Sequence, residues 1–287
     1  MTASRLSSTV QRLIKNAHYD PLPGPSAAIF HEQFSRISRE AHQKQFGENA
    51  WLALTAAALV TLNSPNGLKH LWTYLKSHQT DGTRGRPSED EQIRRAALMR
   101  EAGLKSISFI GIAKVINNLG AMHSAFDDAV KARLPEHPTR QPTRQNIDAI
   151  TARSKEIWRK VYRPYDAKLI EKLGQYHPDL PVHILNSHYG ALLSDPVDQP
   201  SPIGRVLVSL VAIGCLRGTG GVGPQLTSHV FGLKKAGEEG DIDPVTSEGL
   251  GTNWKALTED EGAEWAIRVV DALADVVAQP GGRESKL

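Results

Sequence analysis

The 287-residue chain has one cysteine, Cys215. That scarcity excludes an intramolecular disulfide, a CxxC redox pair and any multi-cysteine metal site, and it suits a reducing compartment. Long hydrophobic runs are also lacking. The longest, Val206 to Leu216, contains Ser209 and Gly214 and is about half the ~20 residues a membrane-spanning helix needs, so it reads as a buried helix and no membrane partner is expected. Charge of one sign is not in excess either. Lys plus Arg number 34 and Asp plus Glu 31, and the basic residues are scattered, so no nucleic-acid partner is expected. No segment shows convincing strand alternation.

What is present is the composition of a soluble globular protein, 40% hydrophobic and 23% charged, in a chain long enough to bury a core without staples. Nearly every long segment has helical periodicity, and the expected fold class is all-α. Helices are expected near 27–45, 51–62 and 68–75, then from the capping-box pair Ser88 and Glu91 to Gly103, and along two apolar stripes over 107–119 and 122–130. Further helices are expected near 144–160, 165–174, 181–194, 206–216, 225–236 and 258–278. The Pro-rich stretch Pro135 to Pro142 is the best candidate linker.

The chain divides accordingly into an extension (1–26), a first helical half (27–134), a linker (135–144), a second half (145–278) and a tail (279–287). The halves share a plan. Ala50–Leu62, a break at Pro65 and Gly67, then Leu68–Leu75 matches Val206–Leu216, a break at 218–224, then Leu226–Leu233. Leu68 and Leu75 align with Leu226 and Leu233 at a constant offset of 158, which suggests a duplicated hairpin.

The terminal Ser285-Lys286-Leu287 matches a peroxisomal address, read by an import receptor that needs a free, accessible carboxyl-terminus. Pro280 and two glycines loosen the stretch before it. Three specified letters at a fixed place arise by chance about once in several thousand chains, so the expectation is delivery to the peroxisome matrix. At the other end, Arg5, Arg12 and Lys15, with no acid before Asp20, faintly match a mitochondrial presequence. A plain amphipathic helix with Leu6, Val10, Leu13 and Ile14 on one face is the preferred reading.

Gly218, Gly220 and Gly223 fit G-x-G-x-x-G, a dinucleotide fingerprint when it joins a strand to a helix. Here a helical run precedes it and no second strand follows to complete a βαβ unit. Nucleotide binding is therefore not expected, and no cofactor is implied.

The run Arg205 to Cys215, followed by Gly223-Pro-Gln225-Leu-Thr-Ser-His229-Val-Phe-Gly-Leu-Lys-Lys-Ala-Gly237, resembles the carboxymuconolactone decarboxylase and AhpD-like superfamily. The features in common are an apolar helix beginning near an Arg, a turn, and a helix carrying a His and ending in small residues. Arg100 to Leu119 resembles the superfamily's following helix pair. The resemblance touches about half of the chain, in both halves, and fits a divergent eukaryotic, fungal-type member. It implies hairpin repeats, a homo-oligomer and a small-molecule ligand.

Departures from the pattern narrow the chemistry. Peroxide-reducing members place cysteines seven and four residues before the His, where this chain has Val222 and Gln225, so a dithiol mechanism cannot run. Decarboxylase-type members often carry Glu where Gln225 stands. Residues i and i+4 share a helix face, so Gln225 can orient His229 or a substrate oxygen but cannot accept a proton as Glu would. The resemblance then implies a catalytic His229 with Gln225, and non-redox acid/base chemistry on a small carbonyl or carboxylate compound. Without it, His229 reads as an imidazole hydrogen-bonded within a helical interface. Arg205 and Arg217 bracket the apolar helix and are candidate substrate-binding residues for a carboxylate; Cys215 is a third candidate contact, and more simply a small buried hydrophobe. The alternatives are an alkylhydroperoxidase-like antioxidant and a catalytically inactive binding or scaffold protein. No metal is expected: no helix carries HxxxH, and His183 and His188, five apart, fall on different faces of an α-helix.

Overall fold

A computed structural model describes residues 6–15, 24–195, 201–240 and 249–279. The described residues are helical and contain no strand; the only pairing of that kind is an isolated bridge between His78 and Arg84. The all-α expectation is met. The terminal Ser285, Lys286 and Leu287 lie outside the described residues.

Helix α1 (Ser8–Ile14) follows its N-cap Ser7 and buries nothing; Leu13 and Ile14 stand 64% and 66% exposed. Helix α2 (Ala27–Gln43) turns Phe30, Phe34 and Ile37 inward. Helix α3 (Glu48–Thr61) is apolar all round and buried along almost its whole length, as a central helix must be. Pro65 at the first turn and the Ser64 cap start α4 (Pro65–Leu75), which buries Leu68, Leu71, Trp72 and Leu75. The Ser88–Glu91 capping box opens α5 (Glu89–Lys105) as expected. Short α6 (Ile107–Ile110), α7 (Ile112–Ala125) and short α8 (Asp128–Lys131) complete this part.

Helices α9 (Ile147–Tyr162), α10 (Asp166–Tyr176) and α11 (Asp179–His183) follow. Where a continuous α-helix was expected over 181–194, α11 passes into a ten-residue π-helix, Ile184–Leu193. This corrects the sequence reading. Its i→i+5 bonding widens the coil, and Tyr189, Gly190 and Leu193 all reach the interior. Gly190 is where the π-helix meets α9, since a Cβ there would lie 3.0 Å from a methyl of Ile150. Helices α12 (Arg205–Thr219) and α13 (Gly223–Glu239) form a hairpin, and the last helix, Asp260–Val277, closes the fold.

The core is one contiguous cluster running from Phe30 to Val277, centred on the crossing of α3 and α12. Gly214 permits that crossing, because a Cβ there would sit 3.2 Å from the Leu54 carbonyl oxygen. A smaller cluster of Trp158, Val161, Tyr189 and Leu193 lies beside it, with Phe109 and Val208 packed against both. The Pro-rich stretch is tied down by Arg140, whose guanidinium bonds to Glu101 and Asp195. Lys105 is fully buried against the same two carboxylates and the Leu193 carbonyl. Two cations and two anions thus neutralise one another where α5, the Pro-rich stretch and the end of the π-helix meet, as burial of charge requires.

Candidate functional site

The α12–α13 hairpin turns at Gly220 and Gly221, both at positive φ (71° and 70°), a conformation glycine adopts without steric cost. Gly218 lies against Thr61 of α3. Two of the glycines of the G-x-G-x-x-G match therefore have jobs in reversing the chain and packing the hairpin. Pro224 fits the first turn of α13, where its missing N–H costs nothing.

From that start, one face of α13 turns inward through His229, Gly232, Leu233 and Ala236. His229 is only 4% exposed. Its ring meets the edge of Phe109 at 5.3 Å between centroids and that of Tyr162 at 6.1 Å. Tyr162 shares a 2.9 Å hydroxyl–hydroxyl hydrogen bond with Tyr189 of the π-helix, and Trp158 packs on both tyrosines. Arg205 completes the surroundings. It donates to the Ser209 hydroxyl at 2.8 Å and to the carbonyls of Gly232 and Lys160 at 2.8 and 3.4 Å. This group of side chains thus lies at the seam between the two hydrophobic clusters.

The electrostatics follow from dryness. Burial, helped by the nearby Arg205 cation, pushes the His229 imidazole down to about 4, so it is neutral at physiological pH. Burial raises both phenols, Tyr189 the more strongly, and both stay protonated. The neighbours of the His229 ring are the aromatic edges of Phe109 and Tyr162 and the Arg205 cation.

The other candidates lie elsewhere. Gln225 is exposed in the first turn of α13, one turn from His229. Cys215 is fully buried, and burial raises its thiol to about 11 against the pull of the Ser106 and Thr61 hydroxyls. It lies ten residues along α12 from Arg205, about 15 Å at 1.5 Å per residue. Arg217 makes a two-pronged exposed ion pair with Asp271 at 2.6 and 2.8 Å. It lies about 18 Å along the helix from Arg205, too far for the two to grip one small carboxylate. Of the five, His229 and Arg205 come together.

The sequence reading did not single out Phe109, Trp158, Tyr162, Tyr189 or Ser209. The spacing of Trp158 and Tyr162, four apart on α9, was a visible signal of a shared aromatic face. Tyr189 could not be placed on an α-helical period. A separate cleft of about 880 Å3 lies near the start of α3, lined among others by His42, Glu48, Trp51, Arg94, Arg95 and Leu250. Its buried Arg95 is fully engaged by Glu48 and by the carbonyls of Leu75 and His78, which gives it a structural role.

Compared with family models, curated proteins and solved structures, the chain finds no match. No helix among the described residues is long and apolar enough to cross a membrane.

Proposed function

We propose that the chain is a peroxisomal protein of the AhpD-like type that works without thiols, performing acid/base chemistry on a small carbonyl or carboxylate compound at His229. The observation that carries this reading is the buried imidazole of His229, held neutral beside Arg205 and the rings of Phe109 and Tyr162. Neutral and dry, one nitrogen offers a lone pair to a substrate proton while the other donates. The Tyr162–Tyr189 pair, one hydroxyl of which donates to the other, leaves one donor for an oxygen that gains charge, and Arg205 supplies positive potential. Burial makes each of these interactions stronger than it would be in water.

The antioxidant alternative is opposed by Cys215, since a buried thiol raised to about 11 is not a thiolate near neutrality. Binding without turnover is a second reading, favoured by the exposed Gln225, which leaves His229 without an orienting partner. The C-terminal Ser285-Lys286-Leu287 supports delivery to the peroxisome through its import receptor. The exposed Ile112, Ile116 and Phe231 supply apolar surface for the homo-oligomer. The matched hairpin plans of α3–α4 and α12–α13 support a duplicated origin of the halves.

The test is a thermal-shift screen of small carbonyl, acyl and lactone compounds on the full chain and on His229→Ala. A ligand at a hundred times its Kd adds about 2.7 kcal/mol of stability. Compounds that raise the melting temperature of the wild type but not of the variant support the site, and product formation from them separates turnover from binding. Identical responses in both proteins would overturn it.

A further inference from the structure

We infer that His183 and His188 form a two-histidine site for a divalent transition ion of the zinc or copper class, on the outer side of the π-helix. On an α-helix residues five apart diverge, but the i→i+5 coil of Ile184–Leu193 brings them onto one side. Their rings lie 5.1 Å apart between centroids at an interplanar angle of 83°. Two imidazoles sharing one tetrahedral ion at about 2.0–2.1 Å per nitrogen have ring centres about 5 Å apart, so little movement is needed.

The second observation is which nitrogens are already engaged. His183 Nδ1 lies 3.2 Å from the Ser187 hydroxyl, and His188 Nδ1 lies 3.2 Å from the Ser108 hydroxyl of α6. With each Nδ1–H donating to its serine, both Nε2 lone pairs are left for the ion. Ligating histidines are oriented in this way by a partner on the other ring nitrogen. His183 is exposed and His188 half-buried, so water completes the coordination. No group of three or more metal-ligating side chains occurs among the described residues, which leaves this pair as a two-ligand, open site. Its borderline imidazole donors select zinc- or copper-type ions over calcium or magnesium. The site also has a definite place: Ser108 precedes Phe109, which packs on His229, and His188 precedes Tyr189, which bonds to Tyr162.

The test titrates the untagged full chain with Zn2+ alone by calorimetry, beside His183→Asn/His188→Asn and Ser108→Ala/Ser187→Ala. The wild type should bind one ion, the histidine variant at least tenfold more weakly, and the serine variant between about 10- and 100-fold more weakly. Unchanged melting curves without metal would show that each variant folds. Ring-nitrogen NMR should show Nε2 of both histidines shifting when Zn2+ is added. Equal affinity in the histidine variant, or no binding by the wild type at millimolar Zn2+, would overturn the site.

Discussion

Under the proposed duplication, helices α4 and α13 correspond and differ at one telling position. Each follows a central apolar helix, α3 or α12, after a short break, and each presents leucines at the 158-residue offset. That offset sets His229 of α13 against Leu71 of α4. Leu71 is fully buried in the core, and His229 is 4% exposed. One hairpin fills the position with apolar packing; the other keeps a buried imidazole there. The difference teaches that α13 departs from the most stable choice at the point where a ligand site is proposed.

Breaking the apolar side should have the largest effect. Leu71→Ala removes a fully buried leucine and should cost about 3 kcal/mol in chemical unfolding, with ligand responses retained in the protein that stays folded. An effect below about 1 kcal/mol would show that α4 does not carry the core as described.

Acid should break the other side. The folded-state value of His229 is lowered from 6.5 to about 4, so the unfolded chain takes up a proton that the folded chain refuses. The associated stability is fully present above about pH 6.5 and is lost as pH falls towards 4. It amounts to about 3 kcal/mol at 1.36 kcal/mol per unit. His229→Leu should flatten this part of the pH–stability curve.

The same His229→Leu variant sharpens the comparison at neutral pH. By replacing a buried polar ring with an apolar side chain it should gain about 1 kcal/mol, while compounds that stabilise the wild type lose their effect. A variant that is less stable and still binds would contradict the reading. Smallest of all, Arg217→Ala should cost less than about 1 kcal/mol, since its pair with Asp271 is exposed. It should leave ligand responses untouched.

The helices were legible because apolar spacing, Pro65, Pro224 and the Ser88–Glu91 box are local signals. His229 was legible as a candidate through its place after the turn, and Arg205 through its place at the head of α12. The rest needed three-dimensional information. Tyr189, His183 and His188 sit where the coil widens, and no periodicity rule for an α-helix places them correctly. Phe109 and Tyr162 reach His229 from α6 and α9, distant in sequence. Gln225 shares a helical face with His229 in principle, yet one turn nearer the helix start that face emerges into solvent.

The most direct measurement is ring-nitrogen NMR of His229 in the full chain, from pH 7 to pH 4, with and without a compound that the thermal screen selects. The account predicts a neutral imidazole that takes up a proton only near pH 4 and whose nitrogen signals move when the compound binds. An imidazole that titrates near 6.5, or whose signals ignore the bound compound, would contradict it.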